Sequence, residues 1–301
     1  MRILIIGASS FLGGHVRREA ASAGHTVLTA GRSALPGQHL RLDLVADPVA
    51  QVASLVASAA PEVVVNCAGA TSGSADALAA ANITAVHTLV TALLQSRARV
   101  PARLVHVGSA AEYGAAEDGV PVAETAVPRP AGLYGVTKLG GTRLVELART
   151  AGLDAVVLRV FNVVGAGAPE DSLPGHAAAQ LRRLLAAANG TSLRLGPLHS
   201  VRDFVDARDV ADAALAAAAA PSLPHAVVNV GSGTGVPARV LVQELLAASG
   251  CDVQVREDAP GSARTAGLDW QQADITRAAE DLGWRPRRDL AAAVRDLWNG
   301  A

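Results

Sequence analysis

A chain of 301 residues, half of them hydrophobic and only 3% aromatic, carries enough apolar side chain for two cores of roughly 150 residues each. Its formal net charge of −1 gives no global field for nucleic acid or an acidic membrane surface, so neither is expected as a partner and any anion must be held by local groups. Cys67 and Cys251 stand far apart without a CxxC neighbour or a histidine cluster, which sets aside a disulfide framework and a zinc site, and no metal is expected.

The opening "RILIIG" reads as a strand that runs into a glycine turn, too short for the core of a secretory signal. No run approaches the roughly 18 apolar residues of a membrane span, and a cytoplasmic location is expected. A helix through "GGHVRREAASAG", strands at "HTVLTAG" and "QHLRLDL", a helix at "VASLVASAA" and a strand at "PEVVVNCAG" follow. Then come a helix around "AANITAVHTLVTALLQS", a strand at "ARLVHVGS", a helix around "GVTKLGGTRLVELARTAG" and a strand at "DAVVLRVFNVVG". Short apolar runs alternating with amphipathic helices describe a parallel sheet covered on both faces, an α/β doubly wound (Rossmann) fold.

After Gly165 the pattern loosens into a helix at "HAAAQLRRLLAAANG" and a short strand at "SLRLG", returns with "RDFVDARDVADAALAAAAA" and a strand at "AVVNVGSG", and ends in helices at "PARVLVQELLAAS" and "DITRAAEDLG". Residues 1–164 with about 201–232 are expected to form the cofactor domain. Residues 165–200 with 233–301 are expected to form a smaller substrate lobe.

The turn "GASSFLGG" suits a phosphate cradle, in which backbone N–H groups and a helix dipole face a pyrophosphate. Gly7 makes the tight turn and Gly13 permits close strand–helix packing, while Ser10 stands where a glycine is usual. Ser9, Ser10, Phe11 and Leu12 complete the loop. At the end of the next strand, Gly31 occupies the place of a ribose-binding acid and Arg32 follows it. A guanidinium there pairs with a 2′-phosphate, so NADP is expected as cofactor, with NAD the alternative if Arg32 is only a solvated strand-end charge. Asp43 and Leu44 are placed beside the adenine. Cys67, Ala68 and Gly69 of "NCAG" bring backbone close to the cofactor, and Asn82 joins that set.

"LYGVTK" puts Tyr134 and Lys138 four apart on one helix face, where an ammonium stabilises a phenolate and tunes it for proton transfer. A surface Tyr and Lys at helical spacing is the competing reading. Ser109, at the carboxyl end of a parallel strand, is positioned to hydrogen-bond a carbonyl oxygen.

The ordered set "GASSFLG", "NCAG", "HVGSAAEYG", "PRPAGLYGVTK", "LRVFNVVGAG", "RDFVDARDVADA", "NVGSG" and "LGWRP" resembles the extended short-chain dehydrogenase/reductase family, also called the NAD-dependent epimerase/dehydratase family, over essentially the whole chain. The resemblance implies that Ser109, Tyr134 and Lys138 are the catalytic trio, with Lys138 also on the nicotinamide ribose. It implies that Ala110 lies at the substrate and that Asn162 and Arg202 face the diphosphate of a nucleotide-sugar. The competing readings are a strand-end cap for Asn162 and an ion pair of Arg202 with Asp203 or Asp206. Ala110 and Ala111 stand where the family's dehydratases carry proton-transferring residues, so dehydration is disfavoured. The segment around the trio is most similar to nucleotide-sugar 4-ketoreductases such as GDP-6-deoxy-4-keto-mannose reductases, which implies NADPH-dependent reduction of a 4-keto-6-deoxysugar. Ala259 and Ser262 replace the arginine and acid of a diphosphate-gripping run, with Arg264 either the substitute grip or an exposed structural arginine. The alternatives are an NAD-dependent epimerase, a reductase of a non-sugar ketone, and a non-catalytic NADP-binding protein. Family members pair through the helices that "ITAVHTLVTALL" and "KLGGTRLVELA" match, so a homodimer is expected.

Overall fold

Runs of β-branched residues form the strands. β1 (Arg2–Ile6), β2 (Thr26–Gly31), β3 (His39–Arg41), β4 (Val63–Asn66), β5 (Arg103–Ser109), β6 (Ala155–Val160) and β10 (Val227–Val230) build one sheet in the order β10-β6-β5-β4-β1-β2-β3. Every neighbouring pair in it is parallel. This computed structural model describes residues 1–97, 99–187, 192–260 and 269–300.

The sheet is buried on both faces, which is why its strands read as unbroken apolar runs: all residues of β4, β6 and β10 are buried. Helices α1 (Phe11–Ser22) and α7 (Ala207–Ala219) pack together on one side, where Val16, Ala20, Ala213, Ala214 and Ala217 meet Ile3, Ile5, Val156 and Leu158. On the other side α2 (Val49–Ala59), α4 (Ala85–Ser96) and α5 (Leu133–Thr150) cover Leu4, Val64, Leu104 and Val157.

Short α3 (Ala75–Ala79) and a π-helical turn (Ala80–Thr84) lead into α4, so the helical stretch Ala75–Ser96 is continuous. Its 22 residues are long and apolar enough to cross a membrane by length and composition, contrary to the sequence expectation. Half of its most apolar part is buried between α2 and α5, as in a core helix.

The run "DAVVLRVFNVVG" is not one strand. Phe161 N–H still bonds Val230 O, and the chain then leaves the large sheet to form β7 (Asn162–Val164), which pairs with β9 (Val201–Asp206). β9 also pairs with β11 (Gly235–Pro237) and β13 (Trp270–Gln271), and a third sheet joins β8 (Ser192–Arg194) to β12 (Gln254–Arg256). A second core gathers Phe204 with α6 (Leu173–Ala187), α8 (Ala238–Ser249) and α10 (Leu290–Asn299). Successive residues of β9 serve different cores, Phe204 the small one and Val205 the large one, as a two-residue side-chain period demands. Ala278 and Leu282 of α9 (Thr276–Leu282), with Trp284, pack into the large core although they lie within the expected lobe. The sequence expectation also passes over α10, which Asp289 caps and which buries Ala293, Val294 and Leu297.

Candidate active site

The carboxyl ends of β1, β4, β5 and β6 open into a cleft of about 690 Å³, closed on its far side by residues of the second core. Open parallel sheets bind ligands at this edge.

At its cofactor end Gly7 adopts φ +76°, and a Cβ there would stand 2.7 Å from Ala68 N. A Cβ at Gly13 would lie 2.8 Å from the Gly7 carbonyl carbon, and closer still to its oxygen. Both glycines are therefore required by the approach of α1 to the β1 and β4 loops. Ser10 is the N-cap of α1: its Oγ accepts from Gly13 N at 3.1 Å and donates to Cys67 O at 3.4 Å. The hydroxyl is thus engaged within the protein. Phe11 and Leu12, whose first-turn amides have no intrahelical acceptor, line the cleft beside Ser10.

Cys67, Ala68 and Gly69 line the opposite wall. Gly69 has room only for hydrogen, since a Cβ would come 2.9 Å from Asn82 Oδ1. Asn82, on the π-helical turn, accepts from Ala70 N at 3.0 Å and donates to Ala70 O at 2.9 Å and Thr137 Oγ1 at 3.0 Å. Thr137 in turn donates to Tyr134 O at 3.0 Å. The loop after β4 and the first turn of α5 are thereby fixed to each other.

Ser109, Tyr134 and Lys138 all line the cleft. Ser109 ends β5, and its Oγ accepts from Ala111 N at 3.2 Å. Lys138 is buried and donates from Nζ to Val107 O at 2.6 Å. Burial pulls its ammonium below the usual lysine range, and the nearby Glu112 and Cys67 oppose that shift. Burial in turn pushes the Cys67 thiol up to about 12. Ala110 also lines the cleft, and its carbonyl accepts from Gln271 Nε2 at 2.9 Å.

On the substrate side Asn162 lines the cleft while its Nδ2 donates to Asp203 O at 3.0 Å. Arg202 is a buried cation of the cleft wall. Burial lowers its pKa, and Asp269 partly offsets this. The carboxylate of Asp203 is taken by Ser232, Gly233 and Ala273, and that of Asp206 by Arg208.

Several expected residues lie elsewhere. Ser9 and Arg32 are exposed outside the cleft walls, Arg32 at the end of β2 beside Gly31, where a Cβ would meet open space. Leu44 is buried in the core under β2, because β3 ends at Arg41 and turns both Leu42 and Leu44 inward. The Asp43 carboxylate accepts from Val45 N and Ala46 N within its own turn. Ala259 lines the cleft, whereas Ser262 and Arg264 fall outside the described residues. Sequence reasoning missed Gln271, whose partner Ala110 is remote in sequence, and the buried Glu112, which joins the nearby Ser109 to the remote Thr142 and Arg159.

Comparison with known proteins agrees with this geometry. The model of the NAD dependent epimerase/dehydratase family matches residues 3–231, and the chain belongs to that family. It is an NAD(P)-dependent enzyme of the extended short-chain dehydrogenase/reductase type. It is 39% identical over 303 residues to the dTDP-6-deoxy-L-talose 4-dehydrogenase (NAD(P)(+)) of Kitasatospora kifunensis, covering 99% of this chain and 94% of the relative. It is 28% identical over 199 residues to the GDP-6-deoxy-D-mannose reductase of Pseudomonas aeruginosa, covering 64% of each. Among solved structures, MoeE5 in complex with UDP-glucose and NAD superposes with a TM-score of 0.85 at 26% identity, covering 100% of this chain and 98% of that one.

Proposed function

We propose that this member of the family interconverts a ketone and an alcohol at C4 of a nucleotide-linked 6-deoxysugar, working in the reducing direction with NADPH. The observation that carries the reading is that Ser109, Tyr134 and Lys138 share the cleft, while the two residues after Ser109 are Ala110 and Ala111, which transfer no proton. One proton donor at a carbonyl suits addition across C=O; elimination of water needs a further acid and base.

The nicotinamide, when bound, supplies the hydride for this reaction. The loop of Gly7 to Gly13, the first-turn amides of Phe11 and Leu12, and Lys138 would hold that cofactor, with Arg32 on a 2′-phosphate. Ser109 holds the substrate oxygen, Tyr134 gives its phenolic proton to the forming alkoxide, and the Lys138 ammonium stabilises the phenolate left behind. A 4-dehydrogenase and a 4-ketoreductase run one equilibrium in opposite directions, so the 39% identical relative supports this chemistry and a thymidine diphosphate carrier. Dimerisation through the outer face of α5, where Leu133, Val136 and Leu147 are exposed, belongs to the same proposal.

The test is NADPH oxidation with dTDP-, GDP- and UDP-linked 4-keto-6-deoxysugars and a panel of simple ketones. Turnover is expected with the dTDP-linked sugar and should fall at least ~100-fold in Tyr134→Phe. A wild-type protein that binds NADPH and reduces none of these ketones overturns the proposal, and tightly bound NAD with C4 inversion of a nucleotide sugar replaces it with an epimerase.

A further inference from the structure

Lys138 is the single lysine among the 301 residues; every other side-chain cation apart from histidine is arginine. It lies buried, in a place where water gives its charge little support. The nearby groups come from every packed element: Cys67 after β4, His106 on β5, Tyr134 on α5 itself, and Glu112 on the 3₁₀ turn Ala110–Glu112. His106 is buried and held neutral, and the Cys67 thiol is pushed far up, so Glu112 is the formal negative charge of that set.

Glu112 is itself fully buried and uses both oxygens. Oε1 accepts from Ser109 N at 2.9 Å, closing a reciprocal cap with the serine. Oε2 accepts from Thr142 Oγ1 on α5 at 2.8 Å and from Arg159 Nε on β6 at 2.7 Å. Arg159 also stacks over Tyr113, 4.6 Å from the ring centre, and Tyr113 Oη donates to Asn229 Oδ1 at 2.7 Å. Lys138 and Glu112 grip the same three residues of β5: Lys138 Nζ donates to Val107 O, and Glu112 takes the Ser109 amide. Between them Gly108 leaves the space, since a Cβ there would lie 2.9 Å from Glu112 Oε1.

We propose that Glu112 is a positioning residue of this active site: one buried carboxylate that fixes the Ser109 backbone, ties β5 to the Tyr134–Lys138 helix through Thr142 and, while ion-paired with Arg159, sets a negative charge near the Lys138 ammonium. The proposal rests on the assignment of Ser109, Tyr134 and Lys138 as the reacting groups. Arg159 balances the carboxylate and does not line the cleft.

A single lysine makes the test direct. Protein labelled with ¹³C at lysine Cε gives one side-chain resonance, whose pH titration reports Lys138 without turnover. In Glu112→Gln the resonance is expected to titrate about one pH unit lower than in wild type. A carboxylate that only packed the turn would, on removal, admit water and move the titration upward, so the sign separates the two roles. Thr142→Val, which removes a hydrogen bond and no charge, should leave the titration in place. Should Glu112→Gln fail to fold, the charge-balanced pair Glu112→Gln with Arg159→Gln carries the same downward expectation. An unchanged or raised titration in a folded variant overturns the proposal. In the ketone assay kcat should fall roughly tenfold or more with KM held within about twofold, because Glu112 does not line the cleft. Wild-type protein that reduces no ketone, with the lysine titration still lowered by Glu112→Gln, would sink the reaction assigned above and leave the coupling of Glu112 to Lys138 standing.

Discussion

Adjacent glycines in the cofactor loop are expected to respond to the same substitution with opposite signs. At Gly14 an added Cβ meets only Arg18 Nη1, at 3.6 Å, an ordinary contact on a helical residue. Gly14→Ala should therefore stabilise the protein by up to about 1 kcal/mol, the difference in helix propensity. At Gly13 the same methyl would lie 2.8 Å from the Gly7 carbonyl carbon and 2.9 Å from Ala8 Cα, both backbone atoms that no side-chain rotation relieves. To restore normal contact, α1 must move away from β1, at an overpacking cost of about 3 kcal/mol, so after the propensity gain a net loss of ~2 kcal/mol remains. Moving the helix start displaces the Phe11 and Leu12 amides, and NADPH should bind at least ~10-fold more weakly, about 1.4 kcal/mol. Urea unfolding at constant m reads the first effect, and quenching of tryptophan fluorescence by NADPH the second. Gly13→Ala that unfolds at the wild-type urea concentration or higher, with unchanged NADPH affinity, would refute the claim that this glycine sets the strand–helix approach.

Three further outcomes follow from particular groups. His106 is buried, its Nδ1 accepts from Asn66 Nδ2 at 3.1 Å, and burial holds its pKa well below 6.5. The unfolded chain then takes up a proton that the folded one refuses, so stability is complete above about pH 6.5 and declines below it by up to ~1.4 kcal/mol per pH unit; urea midpoints from neutral to acid pH should show this slope, flattened in His106→Met. The chain has two tyrosines, and burial pushes Tyr113 up to about 12. In Tyr134→Phe, where Tyr113 is the remaining tyrosine, near-ultraviolet absorbance should therefore show tyrosinate forming only near pH 12; tyrosinate already forming at an ordinary phenol's pKa of about 10 would contradict the burial of that ring. Arg32→Ala should weaken NADPH binding about tenfold and leave NADH binding unchanged, since only the former carries a 2′-phosphate; equal effects on both cofactors would return Arg32 to the role of a solvated strand-end charge.

What was legible in the sequence was local. The apolar runs of β1, β4, β5 and β6 and the amphipathic helices between them depend on periods of a few residues. The glycine loop and the Tyr134/Lys138 spacing are equally short-range. Leu44 was misplaced because the sequence reads "QHLRLDL" as one strand, whereas only His39–Arg41 pairs and the chain then turns inward. Glu112 carried one local signal, its capping-box spacing from Ser109, and the rest of its role comes from Thr142, 30 residues on, and Arg159, 47 residues on. The broken strand at Phe161 was hidden for the same reason, since β7 differs from β6 only in its partner, β9.

The segment "RDFVDARDVADA" shows how a motif rich in charge resolves once its partners are known. β9 alternates its side chains, so Arg202 reaches the cleft wall while Asp203 turns the other way, to accept from Ser232 N and Oγ, Gly233 N and Ala273 N. Asp206 caps α7 and pairs with Arg208, and Asp209 takes the Arg287 and Arg288 amides. Three of the motif's acids are thus consumed in joining segments, and their field is spent away from the site. Among the described residues lining the cleft, the buried ones with ionisable ammonium, guanidinium or carboxyl groups are Lys138 and Arg202, both cationic, while the carboxylates Glu170 and Asp171 stand exposed at its rim. A buried lysine and a buried arginine in the wall, the first near Glu112 and the second partly offset by Asp269, still give the cavity a cationic lining at that depth, which suits an anionic guest better than a neutral ketone. That balance supports a diphosphate-linked sugar as substrate even though Ala259 offers no grip, and Arg202→Met raising KM for the nucleotide-linked ketone at least ~10-fold, with little change for a small neutral ketone, is the result it requires.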